Sequence, residues 1–389
     1  MRFQGNNSMR KLLFLAVSCT PMAALADSGS ASLGGSINAI CAATTPGSAL
    51  FARCQELAAS PDPQAESFLA QGQGLEELPG QGRASTRSEQ NDQTASKEFA
   101  DGWSIFASLD LGSLDRSVSE NEAAFDGRAD RLTVGVNYQA NPKWLLGLAL
   151  NHTRESLDFS GSGSQNDARM NGGLLTTSFN PNEHFFFDGY FGSFNGSTDN
   201  LRNIQYSFES PIGTTLDIST RAFGTTDVDR KVSGISGGWL WNKESWSGGI
   251  NLGMDQSKTT LEAYTETGGD GFALEIPTRK IKSRTGSLSF SLARTFSQNW
   301  GVLIPSVRAG LRKEYDNPGR QLAVQFQQDP NNTPVVFDTS DPDTQWGEVG
   351  IGVSLVMKKG HQAFFEYRQR FGHEFLQERT LALGWRMEF

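Results

Sequence analysis

Four histidines and three cysteines are the scarcest reactive side chains in this sequence of 389 residues, and their spacing limits the chemistry open to it. His152, His184, His361 and His373 are scattered. A hydrolase of the Ser–His type needs a nucleophile, a base and an orienting group converging on one point. His152 with Thr153 and Ser156 is the nearest approach to one, and no nucleophile motif accompanies it. His373 beside Glu374 is too little for a protease built on clustered acids. No G-x-x-x-x-G-K, C-x-x-C or H-E-x-x-H occurs. The sequence predicts a non-catalytic protein with no cofactor and no metal. A hydrolase acting at a membrane surface is the weaker alternative.

The N-terminus sets the compartment. Arg10 and Lys11 precede the apolar run Leu12 to Val17, and Ala24-Leu25-Ala26 follows. This is the layout of a secretory signal peptide on residues 1–26, with Met9 as the effective start and cleavage after Ala26. Cleavage leaves Cys41 and Cys54 as the remaining cysteines. In an oxidising compartment this even pair predicts a disulfide across a small helical hairpin, in preference to free thiols. A metal site is the sharper alternative, but two thiols without a nearby His are too few ligands. Residues 60–96 are rich in Gln, Glu, Ser, Gly and Pro and read as linker or weak helix.

The net charge of −9 argues against a nucleic-acid partner. Mean hydropathy is −0.41 and no run after the signal is long enough for a spanning helix. A membrane-spanning β-barrel would look equally polar, because only alternate residues of each strand meet lipid. From Trp103 onward that alternation is continuous. Leu132, Val134, Val136 and Tyr138 oppose Thr133, Gly135 and Asn137; Trp144, Leu146, Leu148 and Leu150 oppose Gly147 and Ala149. Twelve strands are expected, near 103–116, 128–139, 144–157, 168–179, 184–195, 229–241, 246–260, 281–296, 301–315, 345–357, 361–371 and 375–389. Alternate connections are tight, while three others are very long: 196–228, 261–280 and 316–344. Short turns on one side and long loops on the other are the pattern of an even-stranded barrel.

Aromatic residues flank the short turns in pairs: Tyr138 and Trp144, Phe179 and Phe185, Trp241 and Trp246, Phe296 and Trp300. Rings at one level read as an interfacial girdle on the periplasmic side. The fifth short turn, Met357 to His361, lacks such a pair. The opposite face of the strands predicts a lumen charged with Asp110, Asp130, Asp188, Arg308, Arg312, Glu348, Glu366, Arg368, Arg370 and Arg386. Mutual neutralisation of these charges is preferred to a dedicated anion site. A twelve-stranded barrel encloses more space than its side chains fill, and a helix from about Arg87 to Ala100 is expected inside it.

With these motifs in hand, the chain from about residue 99 to 389 resembles the translocator β-barrel of autotransporters, the type V secretion proteins of Gram-negative bacteria. The resemblance rests on "WLLGLALNHTRESLDFSGSGS", "EHFFFDGYFGSFN", "WGVLIPSVRAGLRKEYDNPGRQLAVQFQQDP" and the closing "LALGWRMEF". It implies an all-β membrane protein, a 12-stranded antiparallel transmembrane barrel in the cell outer membrane. It also implies that Leu381, Leu383, Trp385, Met387 and Phe389 form the terminal signal read by the barrel-assembly machinery. Outer-membrane lipid and periplasmic chaperones are the other expected partners, and the barrel is expected as a monomer. The expected organisation is 1–26 signal peptide, 27–98 short helical segment and possible plug, and 99–389 barrel. The usual long passenger does not precede this barrel, so three positions for 27–98 stay open: exported, plugging the pore, or periplasmic. An independent outer-membrane pore, or an adhesin-like protein binding through its long loops, is the alternative function.

Overall fold

A computed structural model describes residues 39–59, 102–119, 123–209, 215–316, 321–338 and 343–388. The signal peptide, the expected helix at 87–100 and Phe389 lie outside the described residues. Twelve long strands form the wall: β1 (Trp103–Arg116), β2 (Phe125–Asn141), β3 (Trp144–Phe159), β4 (Gln165–Phe179), β5 (Phe185–Glu209), β6 (Thr215–Lys243), β7 (Trp246–Leu261), β8 (Arg279–Arg294), β9 (Gly301–Glu314), β10 (Gln345–Met357), β11 (His361–Phe371) and β12 (Leu376–Glu388). Each pairs antiparallel with the next, and β12 returns to β1 from Ser104 opposite Glu388 to Arg116 opposite Leu376. The wall is therefore a closed barrel of twelve strands, with no unpaired edge. Among the described residues no helix is long and apolar enough to cross a membrane, which leaves the spanning to the strands.

The alternation is inside-out relative to a soluble domain. On β3, Leu146, Leu148 and Leu150 are exposed at 46, 50 and 63 %, while Ala149 between them is 1 % exposed. Greasy side chains that point away from the core need lipid around them. The inward face explains the abundance of glycine. The rings of Phe106, Phe194, Tyr190 and Phe364 each occupy the place that a Cβ would take on Gly135, Gly172, Gly234 and Gly384 of the neighbouring strand. A ring laid over a glycine fills the lumen wall and covers backbone that would otherwise lack a side chain. Phe106, Met170, Leu174, Phe194, Val228 and Val232 join such rings in an apolar cluster along one side of the lumen.

The long-loop end departs from the sequence reading. Residues 196–228 do not form a loop: β5 and β6 stay paired from Gly196 opposite Val228 to Glu209 opposite Thr215, and beyond Leu201, the last β5 residue paired with β4, they project past the barrel as a ribbon. The segments expected as the other two long loops contain short strands. Tyr264–Thr265, Leu274–Ile276, Gln321–Phe326 and Val335–Asp338 make a separate four-stranded sheet. β-branched and aromatic residues in these stretches favour pairing once a partner lies alongside.

Candidate functional site at the long-loop end

The N-terminal residues assemble a small hairpin. A helical turn at 39–43 leads through Gly47, whose positive φ of 91° suits glycine, into helix α1 (Ala49–Ala59). Ser48 caps α1, its Oγ accepting the Phe51 amide at 3.1 Å. A disulfide joins Cys41 to Cys54 and ties the two helical pieces together. Closing a loop of this length is worth about 3 kcal/mol against the unfolded segment.

This hairpin seats on the ribbon and the small sheet. Ile40, Leu50 and Cys54 share one core with Ile204 and Tyr206 of β5, Ala222 of β6, and Phe272, Ile276, Val324, Phe326 and Val335. Phe272 stands at its centre, edge-on to Tyr206 at 5.7 Å between ring centroids and near Phe326 at 6.1 Å. The adjoining Gly271 has no room for a side chain, because the start of α1 crosses directly over it. Polar contacts fix the orientation. The Leu50 amide donates to Gln328 Oε1 at 3.0 Å, and Arg53 pairs with Asp270 at 3.5 Å. Tyr206 Oη donates to Glu56 while accepting from Arg53 Nη1 at 3.1 Å. Burial, then the hydrogen bond to Glu56, pushes the Tyr206 hydroxyl up, so it stays a donor at any physiological pH.

Beneath the core lies a buried ion pair. Arg202 and Glu266 are 1 and 3 % exposed and meet at 2.5 Å. The same guanidinium donates to the Phe272 carbonyl, and Glu266 accepts the Leu274 amide at 3.0 Å. These bonds lock the ribbon to the small sheet. The sequence reading missed the pair because both residues fell in stretches read as loops.

In the lumen, Arg312 pairs with Glu348 at 2.7 Å, Arg308 with Glu366 at 3.7 Å, Arg368 with Asp110 at 3.9 Å and Arg386 with Glu388 at 3.0 Å. Asp188 also faces inward, on the parity of Phe186 and Tyr190. Asp130 does not: it shares the outward parity of Leu132 and Val134, and Arg131 takes the inward place beside Asp110 at 3.8 Å. Arg370, which pairs with Glu378 at 2.7 Å, lies under Trp346. Glu155 is a further inward acid that the sequence reading passed over, 1 % exposed and within reach of the charges of Arg230 and Arg131.

At the short-turn end, Tyr138, Trp144, Phe185, Trp246, Phe296 and Trp300 are all exposed on the outer face, with Phe179 and Trp241 partly covered there. Trp144 meets Phe179 at 4.6 Å, and Arg294 lies between Trp246 and Phe296 at 5.1 and 4.9 Å. Two further contacts extend the band: Trp103 packs on Tyr138 at 4.8 Å, and Trp385 of β12 packs on His361 at 5.9 Å. Trp385 thus stands at the fifth turn, where the sequence offered no flanking pair. Leu381, Leu383, Trp385 and Met387 share one parity of β12, facing away from Ala382 and Gly384.

The histidines do not gather. His152 points outward and contacts Asn171 at 2.8 Å, whereas Thr153 points inward and donates to Asn151 at 2.9 Å. His184 and His361 sit at short turns, and His373 lies in the connection between β11 and β12. Among the described residues no group of three His, Cys, Asp or Glu side chains is placed to hold a metal.

A family description, the autotransporter β-domain, matches residues 105–368. The fold is similar to the translocator domain of the autotransporter NalP from Neisseria meningitidis, with a TM-score of 0.57 and 14 % identity over 77 % of this chain and 91 % of that one. It is also similar to the β domain of the Bordetella autotransporter BrkA, with a TM-score of 0.51 and 15 % identity over 74 % of this chain and 100 % of that one. No curated protein sequence matches. With a closed twelve-stranded wall, lipid-facing outer side chains and a family match over more than half of its length, the chain belongs to the autotransporter β-domain family of outer-membrane barrels.

Proposed function

We propose that this barrel exports its own short N-terminal segment and then holds it, docked and non-catalytic, on the outer face of the cell. One observation carries the reading: residues 39–59 pack at the long-loop end, while β1 begins at the short-turn end. In such barrels the short turns are periplasmic and the long loops extracellular. Because the two lie at opposite ends of a closed wall, the hairpin must have crossed the membrane to reach its seat, and the crossing that avoids lipid is through the lumen. The hairpin would be a miniature passenger whose receptor is the barrel's own ribbon and small sheet.

The other residues take supporting roles in this reading. A signal peptide on 1–26 brings the chain to the periplasm, where Cys41 and Cys54 are oxidised and chaperones deliver it to the assembly machinery. Leu381, Leu383, Trp385, Met387 and Phe389 serve as the assembly signal. The aromatic band from Tyr138 to Trp300 holds the barrel at the inner headgroup level. An epitope inserted at the open turn of Gly47 tests the proposal. Antibody should label intact cells. Labelling only after the outer membrane is permeabilised would overturn it.

A further inference from the structure

Three lysines stand in a row across the outside of the wall. Lys231 of β6 is directly opposite Lys258 of β7, which is directly opposite Lys282 of β8, and all three are exposed. Neighbouring strands lie about 4.8 Å apart, so three ammonium groups are rooted within about 10 Å. Lys280 and Arg284 flank Lys282 on the same outward parity. Like charges placed opposite one another across strands destabilise a sheet.

Three carboxylates near this row are engaged elsewhere. Asp255 points inward, where it accepts from Tyr190 at 2.7 Å and pairs with Arg312. Glu314 also points inward, with its oxygens accepting from Ser283, Thr285 and three backbone amides. Asp229 shares the outward face of β6, and its Oδ1 is engaged by Asn195 on the side away from β7.

The level of the row says what it meets. Lys231 and Lys258 each stand four residues beyond the last large lipid-facing side chain of the wall on their strand, Ile235 at 69 % exposure and Met254 at 46 %; on β8, Arg284 and Lys282 stand four and six residues beyond Leu288 at 36 %. Four residues on a tilted strand rise about 10 Å, and a lysine stem reaches back along apolar surface to the boundary. That is headgroup height on the long-loop side. The walls of β2 and β3 at this level carry both signs, with Asp126, Arg128, Asp130, Arg154 and Asp158 around one shallow cleft.

We propose that the β6–β8 wall is a docking site for the phosphate groups of a phosphorylated glycolipid in the outer leaflet. The apolar residues below the row receive its acyl chains, and Lys231, Lys258 and Lys282 bind its phosphates.

The full chain, purified in a neutral detergent, should be titrated with lipid A bearing two phosphates and read by native mass spectrometry. The same titration uses K231Q/K258Q/K282Q, the single variant K258Q, and dephosphorylated lipid A as the uncharged control. A basic residue at an anionic surface is worth roughly fivefold in affinity, so the triple change should weaken binding by about a hundredfold. K258Q should weaken it severalfold, and the dephosphorylated lipid should not distinguish the proteins. Without lipid, the triple variant should remain heat-modifiable on gels and unfold no earlier than the parent, because it loses only repulsion. Equal retention of the two-phosphate lipid by parent and K258Q would overturn the proposal. So would displacement of that lipid by millimolar inorganic phosphate, which would mark a site for free anions.

Discussion

Leu50→Ala should loosen the hairpin from the barrel without altering the wall. Leu50 is 2 % exposed and lies in the core shared by α1, the ribbon and the small sheet. Removing a buried leucine side chain costs about 2–5 kcal/mol, with the low end where neighbours can relax. The disulfide holds the hairpin together, so the loss falls mainly on docking. At about 2–3 kcal/mol the undocked fraction rises about 30- to 150-fold. Trypsin reads this directly. The Arg53 side chain is 14 % exposed and held by Glu56, Tyr206 and Asp270, so its bond is cut from the undocked form. Cleavage there falls between the two cysteines, and the product separates only after reduction. When reclosing outpaces cleavage, the rate follows the undocked population. The purified barrel should therefore be nicked about two orders of magnitude faster as Leu50→Ala, while Gln55→Ala, at an exposed position, keeps the parental rate. An unchanged rate for Leu50→Ala, or a parent cut as fast as the free segment, would refute the docked arrangement.

Three further outcomes are expected. Arg202→Ala strands a buried Glu266 carboxylate and should destabilise the long-loop core by about 3–5 kcal/mol, seen as faster proteolysis there; Arg202→Met with Glu266→Leu should recover most of it. Gly384→Val drives a side chain into the Phe364 ring beside the closing seam and should reduce the heat-modifiable barrel, with Phe364→Ala restoring it. Burial, with Arg370 and Arg116 nearby, pushes His373 down to about 4, so it is neutral in the folded chain and its Nδ1 accepts the Leu376 amide. Below the unfolded value near 6.5 the open form takes up the proton first, so stability is complete above that pH and is lost as pH falls toward 4, by at most about 3 kcal/mol. Hydrogen exchange at Leu376 should quicken over that window, and a flat profile would contradict the assignment.

The barrel was legible because lipid selects one parity along each strand. Leu146, Leu148 and Leu150 announce their face whatever their neighbours do. Strand limits were right to a few residues where the belt ends sharply, as at Trp103–Arg116 and Gln345–Met357. The ribbon was not legible, because above the lipid no single environment imposes alternation. Ile204 and Tyr206 face a core, yet Arg202 shares their side and breaks the apolar pattern. Asp130 was placed one residue out of phase because Arg131 beside it is also charged, and parity cannot be read from charge alone. The Cys41 and Cys54 spacing pointed to a hairpin. Nothing local to it names Tyr206, 150 residues away, as the partner of Glu56.

The ribbon of β5 and β6 also determines how far from the bilayer the hairpin stands. From Phe191, among the last large lipid-facing residues of β5, to Tyr206 beneath the hairpin is a run of fifteen residues. On a strand tilted about 40° that run rises about 40 Å, well past the headgroups. The ribbon is thus a pedestal. On the outer face proposed for it, the hairpin would be displayed clear of the headgroups. Shortening the ribbon by whole pairs of residues would lower that display in steps while leaving the wall unchanged.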